Sequence, residues 1–447
     1  MIKQYKCPNC GGAVGFDSES QRMSCPYCDC EFEIADLEDY RKELEENPRE
    51  GICWTEMDVA CDWQGAEVDD LTCGSCPSCG AELMGDANTA AMVCPCCGNA
   101  QIVERRLSGL LRPDWVIPFR LDRNAALAAL AKFCEKKRLL PDSFWEENRI
   151  EGVQGLYVPF WLFDARARGH IRYRASKVTT WSDSRFNYIK TDYYSVVRDG
   201  AMAFEKIPAD GSDKMDDKYM DSIEPFRYED LKPFRTAFLA GFTAEKYDVP
   251  AEKSRDRAGA RIRASIEEEF ARSVSGYSSV KLESTSIDIE NGKVHYSLFP
   301  VWVLNTKHRN KNHVFMMNGQ TGVLAGKLPV DTAKCWKYRL LFTGIFGGLF
   351  ALAAQALRHF VMEDVPFLHP HNYFMLGIGL VLALVTGFSI VGAWKCGMDT
   401  VNPEAGACQY AVPGSLEFRQ KKDRFLYSNI VKTMRAEQAA GGGRGRR

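Results

Sequence analysis

The sequence has almost no net charge, few histidines and none of the common motifs of nucleotide-dependent or hydrolytic enzymes. Its 57 Lys and Arg residues are balanced by 59 Asp and Glu residues, which leaves a formal net charge of −2, and it holds 7 His. There is therefore no overall basic excess that would point to nucleic acid. A phosphate loop is also excluded, because Thr321 and Leu328 stand where that motif needs a glycine and a hydroxyl residue. No dinucleotide fingerprint, nucleophile elbow or metalloprotease helix is present, so we expect no enzyme, with residues 105–330 left open.

The first residues lack the apolar core of a secretory signal. The chain begins Met-Ile-Lys-Gln-Tyr-Lys-Cys, which does not have the form of a signal peptide. Its seventeen cysteines would suggest disulfides in a secreted protein. Without a signal, paired thiolates indicate a reducing compartment, so we expect the cysteine-rich part to be cytoplasmic.

One cysteine pattern occurs twice, with the same spacing, in the first hundred residues. Each copy has two Cys-x-x-Cys pairs, and Gly11 and Asp17 of the first copy match Gly80 and Asp86 of the second. Such pairs are typical of a four-thiolate zinc site. Because four thiolates leave no open position for water, we predict two zinc ribbons with one structural ion each. An iron site with the same ligands is the alternative. The predicted ligands are Cys7, Cys10, Cys25, Cys28, Cys76, Cys79, Cys94 and Cys97.

Several surplus cysteines surround these pairs. Cys30 and Cys96 lie beside ligand pairs and could replace a ligand. Cys53, Cys61 and Cys73 could supply a further pair, but their spacing is irregular. We favour the interpretation that all five are free thiols in a reducing compartment.

Two long uncharged segments near the C-terminus predict a transmembrane hairpin. Residues 340–357 and 373–394 contain no charged residue, and a bilayer core needs about 20 apolar residues in a helix. Two buried core helices are the alternative. Lys334, Lys337 and Lys395 flank the pair on its outer sides. The positive-inside rule therefore predicts a multi-pass protein of the cell membrane with both termini in the cytoplasm.

These features divide the chain into six predicted parts, so the expected fold class is multidomain. Two zinc ribbons come first, a mixed α+β cytoplasmic domain lies in the middle, and a two-helix transmembrane hairpin lies towards the C-terminus. The predicted parts are zinc ribbon 1 (1–34), an acidic helical linker (35–50), zinc ribbon 2 (51–104), the α+β domain (105–330), the hairpin (331–396) and a basic cytoplasmic tail (397–447).

Two helices and several strands are predicted within the α+β domain. Apolar residues at helical spacing predict helices over 122–139 and 248–275, the second capped by Asp248. An Asn-Gly pair at Asn318 predicts a hairpin turn. Runs of β-branched and aromatic residues predict the strands. These are Leu156–Phe163, His170–Trp181, Phe186–Val197, Ser286–Ile289, Lys293–Leu304, Val314–Met317 and Val323–Gly326.

Four arginines accompany the strand-like segments of this domain, namely Arg166, Arg168, Arg172 and Arg174. They could face lipid headgroups. Sheet edges commonly carry charge, however, because charged side chains protect an edge from pairing with another chain. We therefore expect these arginines at a solvated edge of a sheet.

The order of motifs resembles a family of bacterial double-zinc-ribbon membrane proteins, often labelled primosomal protein N′ or PriA-like helicase. The resemblance implies a membrane platform without helicase motifs. It also implies partners like those of phage-shock systems, namely phage-shock-protein-A-like or SPFH-type scaffold proteins. The motifs that carry it are Cys7-Pro-Asn-Cys-Gly-Gly12, Cys25-Pro-Tyr-Cys-Asp29, the second ribbon, Tyr157–Asp164, Met316–Gly322, the hairpin and Asp423–Tyr427.

Two functions from different classes follow from these observations. The first is a membrane-anchored adaptor in contact with lipids and cytoplasmic protein partners. Gly344 and Gly348 have a small-xxx-small spacing that could pack the two spans together or form a homo-oligomer. The alternative is a nucleic-acid-binding, replication-associated zinc-ribbon protein. The acidic balance of both ribbons argues against DNA, because affinity for a duplex needs clustered phosphate contacts.

Overall fold

The structure is a computed structural model of a mixed α/β protein. Two groups of cysteines lie near its N-terminus and two long apolar helices lie near its C-terminus. It describes residues 5–18, 20–28, 30–45, 51–54, 57–58, 71–86, 94–97, 99, 102–105, 111–144, 152–308, 311–361, 370–401 and 406–434.

The described strands form one small sheet and one large sheet. The small sheet has the order β1-β2-β3, and the large one has fourteen strands. The strands are β1 (Gly15–Asp17), β2 (Arg22–Ser24), β3 (Glu31–Phe32), β4 (Gly51–Trp54), β5 (Met57–Asp58), β6 (Leu71–Ser75), β7 (Glu82–Asp86), β8 (Val103–Arg105), β9 (Trp115–Val116), β10 (Gly152–Ser182), β11 (Phe186–Asp210), β12 (Lys232–Pro233), β13 (Thr243–Glu245), β14 (Ser279–His308), β15 (Lys311–Asn318), β16 (Leu324–Gly326) and β17 (Glu417–Met434).

Helices cover parts of both faces of the large sheet and extend from one end of it. The helices are α1 (Ile34–Glu45), α2 (Arg123–Glu135), α3 (Asp217–Ser222), α4 (Ala251–Arg272), α5 (Thr332–Val361) and α6 (Pro370–Cys396).

Three very long strands organise the large sheet. Strand β10 pairs antiparallel with β11 on one side and with β14 on the other, and β11 pairs in turn with β17. The predicted strands at 156–163 and 170–181 are therefore parts of one continuous strand. The residues between them alternate charged and small side chains, as at Arg166, Ala167, Arg168 and Gly169. This period-two pattern suits a strand with one core face and one polar face, so the chain does not turn there.

The arginine row lies in the interior of the sheet, and the predicted sheet edge is wrong. Strand β10 has partners on both sides, so Arg166, Arg168, Arg172 and Arg174 share one face of a central strand. Arg172 is only 3% exposed. The charges are balanced across strands, as in the ion pair of 3.2 Å between Arg168 and Glu290 on β14. The opposite face carries the small and apolar residues that pack against α4.

Helix α4 covers this apolar face. The apolar residues at helical spacing that predicted this helix form one buried stripe, because Ala258, Ile262, Ile266 and Phe270 are all fully buried. The predicted cap is wrong: the helix begins after Pro250 with no side-chain cap, and the Asp248 carboxylate instead accepts a hydrogen bond of 2.6 Å from the Asp213 amide.

Helix α2 begins where the sequence predicts and ends earlier. Asp122 is its N-cap and accepts a hydrogen bond of 2.7 Å from the Ala125 amide. The helix ends at Glu135 instead of Leu139, and beyond its end Leu139 and Leu140 are buried in the same core cluster as Ala126, Leu130 and Cys134 of the helix. The predicted hairpin is also present: β15 and β16 pair around a turn in which Gly322 adopts a φ of +80°.

The two C-terminal helices pack against each other and contain the predicted spans. Thr332–Ala356 and Phe374–Cys396 are long and apolar enough to cross a membrane. In their most apolar stretches of 18 residues, 0% and 17% of the residues are buried against the rest of the protein. They meet at small residues of α6, where Gly379 lies against Phe350 and Gly387 against Thr343. Within the described residues nothing lies within 4 Å of a Cβ placed on Gly344 or Gly348. The prediction that this pair packs the two spans is therefore wrong, and its role in a homo-oligomer stays a prediction.

Parts of several predicted regions, including the loop and the tail near the C-terminus, fall outside the described residues. Residues 362–369 of the loop between the helices and residues 435–447 of the basic tail are not among them. The described part of the tail holds β17, which extends the large sheet beside β11.

Candidate metal centres

The first cysteine module (residues 5–32) brings four predicted ligands together. The Sγ atoms of Cys7 and Cys28 are 3.5 Å apart, and those of Cys10 and Cys25 are also 3.5 Å apart. The two hairpin turns that carry them are closed by backbone hydrogen bonds, such as the bond of 2.9 Å from the Gly11 amide to the Cys7 carbonyl. All four sulfurs lie within 4.8 Å of one another.

The second cysteine module (the described parts of 71–105) repeats this geometry. The Sγ atoms of Cys76 and Cys97 are 3.5 Å apart, as are those of Cys79 and Cys94. The Gly80 amide donates a bond of 2.8 Å to the Cys76 carbonyl, in the same place as Gly11 in the first module. All four sulfurs again lie within 4.8 Å of one another.

The glycine repeated in both modules has a conformational reason. Gly11 and Gly80 have φ values of +73° and +75°. A side chain is strained in this left-handed region, and glycine is not. Each turn can therefore close behind its first Cys-x-x-Cys pair and direct both thiols to the same side.

The two four-sulfur groups fit a tetrahedral metal ion. With Zn–S bonds of about 2.3 Å, tetrahedral geometry separates the sulfurs by about 3.8 Å, which agrees with the spacings found here. All eight cysteines are free thiols in the structure. Each group could hold one metal ion, and zinc and iron would both accept four such ligands.

Both groups hold a thiol that is acidic. Burial raises the pKa of Cys7, and the pKa of Cys28 falls to about 6 because hydrogen bonds from the Cys30 amide and the Cys7 thiol outweigh its own desolvation. In the second module a hydrogen bond from the Cys96 thiol lowers the pKa of Cys94 to about 4. Ionisation of one thiol is therefore favoured in each group, and the thiolate is the form that binds a metal.

Among the described residues, the surplus cysteines Cys30, Cys73 and Cys96 do not belong to either four-sulfur group. Cys30 is buried, and its sulfur lies 3.5 Å from the Asn9 side-chain amide, which donates to it. Cys73 is half-buried on β6. Cys61 and the side chain of Cys53 lie outside the described residues.

Cys96 contacts a residue that the sequence analysis missed. Its thiol points at the Glu245 carboxylate at 3.9 Å, from a position 149 residues away in the sequence. Glu245 lies on β13 and is buried, and burial raises its pKa to about 8. No local pattern could have revealed this neighbour, because β13 is a short strand far along the chain.

The second module is part of the large sheet. Strand β7 pairs antiparallel with β13, with Ala244 opposite Met84 and Glu245 opposite Leu83. Leu83 is 0% exposed and packs in one core cluster, and Met84 packs in another. The second four-cysteine group is therefore attached to both of these core clusters through β7.

The first module is attached by a small contact to the outside of the large sheet. Its cluster includes Phe32 and reaches Leu426 and Tyr427 of β17. The Tyr427 hydroxyl donates a bond of 2.7 Å to the Asn9 side chain, and its ring stacks on Tyr193 at 4.7 Å between centroids. Tyr427 is a second residue that the sequence analysis did not single out for this role.

Together these features define the class: a mixed α/β protein with two four-cysteine centres followed by two apolar helices. The chain is 37% identical over 350 residues to the uncharacterized protein YdjG of Bacillus subtilis (strain 168), a match that covers 78% of this chain and 96% of that protein. The chain belongs to the family of YdjG. No protein-family model matches the chain, and no solved structure matches it.

Proposed function

We propose that this protein is a membrane-anchored adaptor whose two structural zinc ions shape a cytoplasmic surface for protein partners. The observation that carries the proposal is the union, on one chain, of two closed four-thiol groups with two apolar helices that the rest of the protein leaves exposed. A four-thiolate zinc site is coordinatively closed and therefore structural. The helices supply the anchor, and the large sheet between these parts supplies the surface.

Exposed apolar side chains support the anchor. Leu352 is 70% exposed and Phe374 is 67% exposed, and water-exposed apolar surface of this extent marks a membrane or partner contact. Lys337 and Lys395 flank the two helices on the side of the cysteine modules. The positive-inside rule favours a topology with both termini in the cytoplasm, where the thiols would stay reduced.

A partner surface is available at the far end of the long strands. This distal sheet end comprises residues 176–182 of β10, 186–191 of β11 and 428–434 of β17. Its exposed apolar residues are Val178, Trp181, Ile189, Ile430, Val431 and Met434. Trp181 stacks on Tyr188 at 5.3 Å. Because successive side chains of a strand point to opposite faces, Trp181, Ile430 and Met434 lie on one face of this sheet end, and Val178, Ile189 and Val431 lie on the other.

The edge of this surface favours a protein partner. Within the described part of the chain, residues 428–434 of β17 pair with a strand on one side only, which is β11. An exposed strand edge beside apolar side chains can accept a strand or an amphipathic segment of another protein. Scaffold proteins of the phage-shock-protein-A or SPFH type are the first partners to test.

Site-specific photocrosslinking tests the partner surface in intact membranes. A photoreactive phenylalanine replaces Trp181 or Ile430, and a matched probe replaces Glu252, an exposed residue on the outside of α4. We expect one discrete protein adduct from the first two positions and none from the third. Adducts of equal yield from all three positions, or from none, would contradict the adaptor function.

Metal content and membrane extraction test the other two parts. Purified full-length protein should hold two zinc ions per chain, and alkaline carbonate should leave the protein in the membrane pellet. Iron in place of zinc would change the metal and leave the structural role. Release into the soluble fraction would contradict the anchor.

The nucleic-acid alternative receives no support from the charges of the first module. Arg22 is engaged by two carboxylates, Glu31 at 3.7 Å and Glu33 at 2.7 Å. A guanidinium held in this way is not available to a phosphate. Salt-dependent binding of duplex DNA by the purified protein would revive this alternative.

A further inference from the structure

A cavity lies where the cytoplasmic part meets the base of the helix pair. Its volume is about 500 Å³. One wall is the segment that follows α2, and the other is the last turn of α6 with the residues just beyond it. The lining residues are Lys136, Lys137, Arg138, Leu139, Ala393, Trp394, Gly397 and Met398.

The polar wall of the cavity is cationic. Lys136, Lys137 and Arg138 are consecutive, and none of the described lining residues is acidic. Two carboxylates in the surrounding segments are engaged by other lysines. Asp142 pairs with Lys334 at 2.6 Å, and Asp399 pairs with Lys327 at 3.2 Å. The cavity therefore combines a positive potential with a volume that can hold a small anionic group.

The apolar wall is held in place by ring contacts. Trp394 packs edge-on against Tyr338 at 5.3 Å and against Phe342 at 5.4 Å, both on α5. The Arg138 guanidinium lies 4.9 Å from the centre of the Trp394 ring. The Lys137 ammonium donates a hydrogen bond to the Gly397 carbonyl just beyond α6, so the two walls are joined directly.

The cavity lies at the level where a bilayer has its headgroups. Trp394 ends the uncharged run of α6, and Trp336, 55% exposed, stands near the start of α5 at the same end of the helix pair. Tryptophan and tyrosine are enriched at this interface, since their rings are apolar and their N–H or O–H groups reach water. Basic residues just on the cytoplasmic side bind anionic lipids.

We propose that this cavity binds the headgroup of an anionic phospholipid. Lys136 and Arg138 contact the phosphodiester, while Trp394 and Ala393 pack against the glycerol and the first acyl carbons. A free phosphate ion would use only the cationic wall, whereas a phospholipid uses both walls. The inference rests on the proposed membrane anchor and adds a specific lipid contact to it. Such a contact would fix the cytoplasmic part against the membrane surface.

Lipid retention tests the cavity directly. Full-length protein is extracted in mild detergent, exchanged into nanodiscs of phosphatidylcholine with or without phosphatidylglycerol, and examined by native mass spectrometry for bound lipid. The test variant is Lys136→Gln/Arg138→Gln. The matched control is Lys337→Gln/Lys395→Gln, which removes the same charge at the same end of the helices but outside the cavity.

We expect the wild type and the control to retain phosphatidylglycerol in preference to phosphatidylcholine. The cavity variant should lose this preference by about tenfold or more, since it removes the two cations that contact the phosphodiester in the cavity, whereas the control removes charges that do not line it. An equal loss in both variants, or no loss in either, would overturn the cavity site. Displacement of the lipid by millimolar inorganic phosphate would also overturn it. If carbonate extracts the wild type from membranes, the anchor has failed, and that result is distinct from a failure of the cavity.

Discussion

The two cysteine modules have the same local structure and are attached to the protein in different ways. Both close their turns with a left-handed glycine, and both bring four sulfurs within 4.8 Å. The first module forms its own three-stranded sheet and contacts the rest through a small cluster at β17. The second module contributes strands β6, β7 and β8 to the fourteen-stranded sheet. The Cys-x-x-Cys pair with its glycine therefore determines the local turn. The residues that flank it determine whether the module joins the large sheet or only contacts its surface.

The flanking residues explain this difference physically. In the second module Leu83 of β7 is fully buried in the core of the protein. In the first module Phe16 of β1 is 54% exposed. Burying a side chain of this size stabilises by about 1.5–3 kcal/mol. The second module therefore shares the cooperative core of the protein, and the first can open separately.

The loss of one ligand should separate the modules most clearly. Cys94→Ser removes a fully buried ligand of the second module, and Cys25→Ser removes its counterpart in the first. Structural zinc contributes on the order of 10 kcal/mol to the fold that binds it, so we expect Cys94→Ser to abolish the cooperative thermal transition of the part that contains the large sheet. Cys25→Ser should lower its midpoint by only a few degrees. Both should halve the zinc content. Equal losses of thermal stability would show that the modules are equivalent.

A single core residue should reproduce part of this effect without touching a ligand. Leu83→Ala should cost about 2–5 kcal/mol in the free energy of unfolding, because it leaves a cavity between β7 and the core. Phe16→Ala in the first module, at an exposed site, should change it by about 0.5 kcal/mol or less. Chemical denaturation of the detergent-solubilised protein measures both. A Phe16→Ala effect as large as that of Leu83→Ala would contradict the separation.

Metal removal should proceed in two phases. A chelator should remove the ion of the first module about tenfold faster than the ion of the second, since the first module opens without the large sheet. A tenfold difference in rate needs only about 1.4 kcal/mol in activation free energy. Stopped-flow release of zinc to a chromogenic chelator measures the phases. Cys25→Ser should remove the fast phase and leave the slow one. A single phase in the wild type would contradict this order.

The smallest expected effect concerns the contact of the first module with β17. Tyr427→Phe deletes the hydrogen bond to Asn9 and should cost about 1 kcal/mol of local stability. Hydrogen exchange of residues 5–45 should rise while the large sheet stays protected. The control is Tyr277→Phe, which removes a bond of 2.8 Å to Asp423 elsewhere on the sheet. Equal exchange of the first module in both variants would show that Tyr427 does not hold it.

Much of the local structure could be predicted because it depends on short-range patterns. The stripe of α4, the start of α2 and the turn before Gly322 each follow from spacing, a capping side chain or glycine. Some predictions failed because they depended on distant partners. The arginine row looked like a sheet edge until β11 and β14 were found on both sides of it. Packing of the two spans was one of two roles open to Gly344 and Gly348, but Gly379 and Gly387 lie at that contact instead.

By itself the sequence determined which eight thiols can gather in two groups and which two segments are apolar enough for a bilayer, because both depend on residues close together along the chain. Only the tertiary structure decided that one module joins the central sheet while the other rests on its surface. It also decided that Lys136, Lys137 and Arg138, which follow α2, line the same cavity as Trp394 at the base of the helix pair. These neighbours are hundreds of residues apart, and their contacts follow from strand pairing and core packing, which no local pattern encodes.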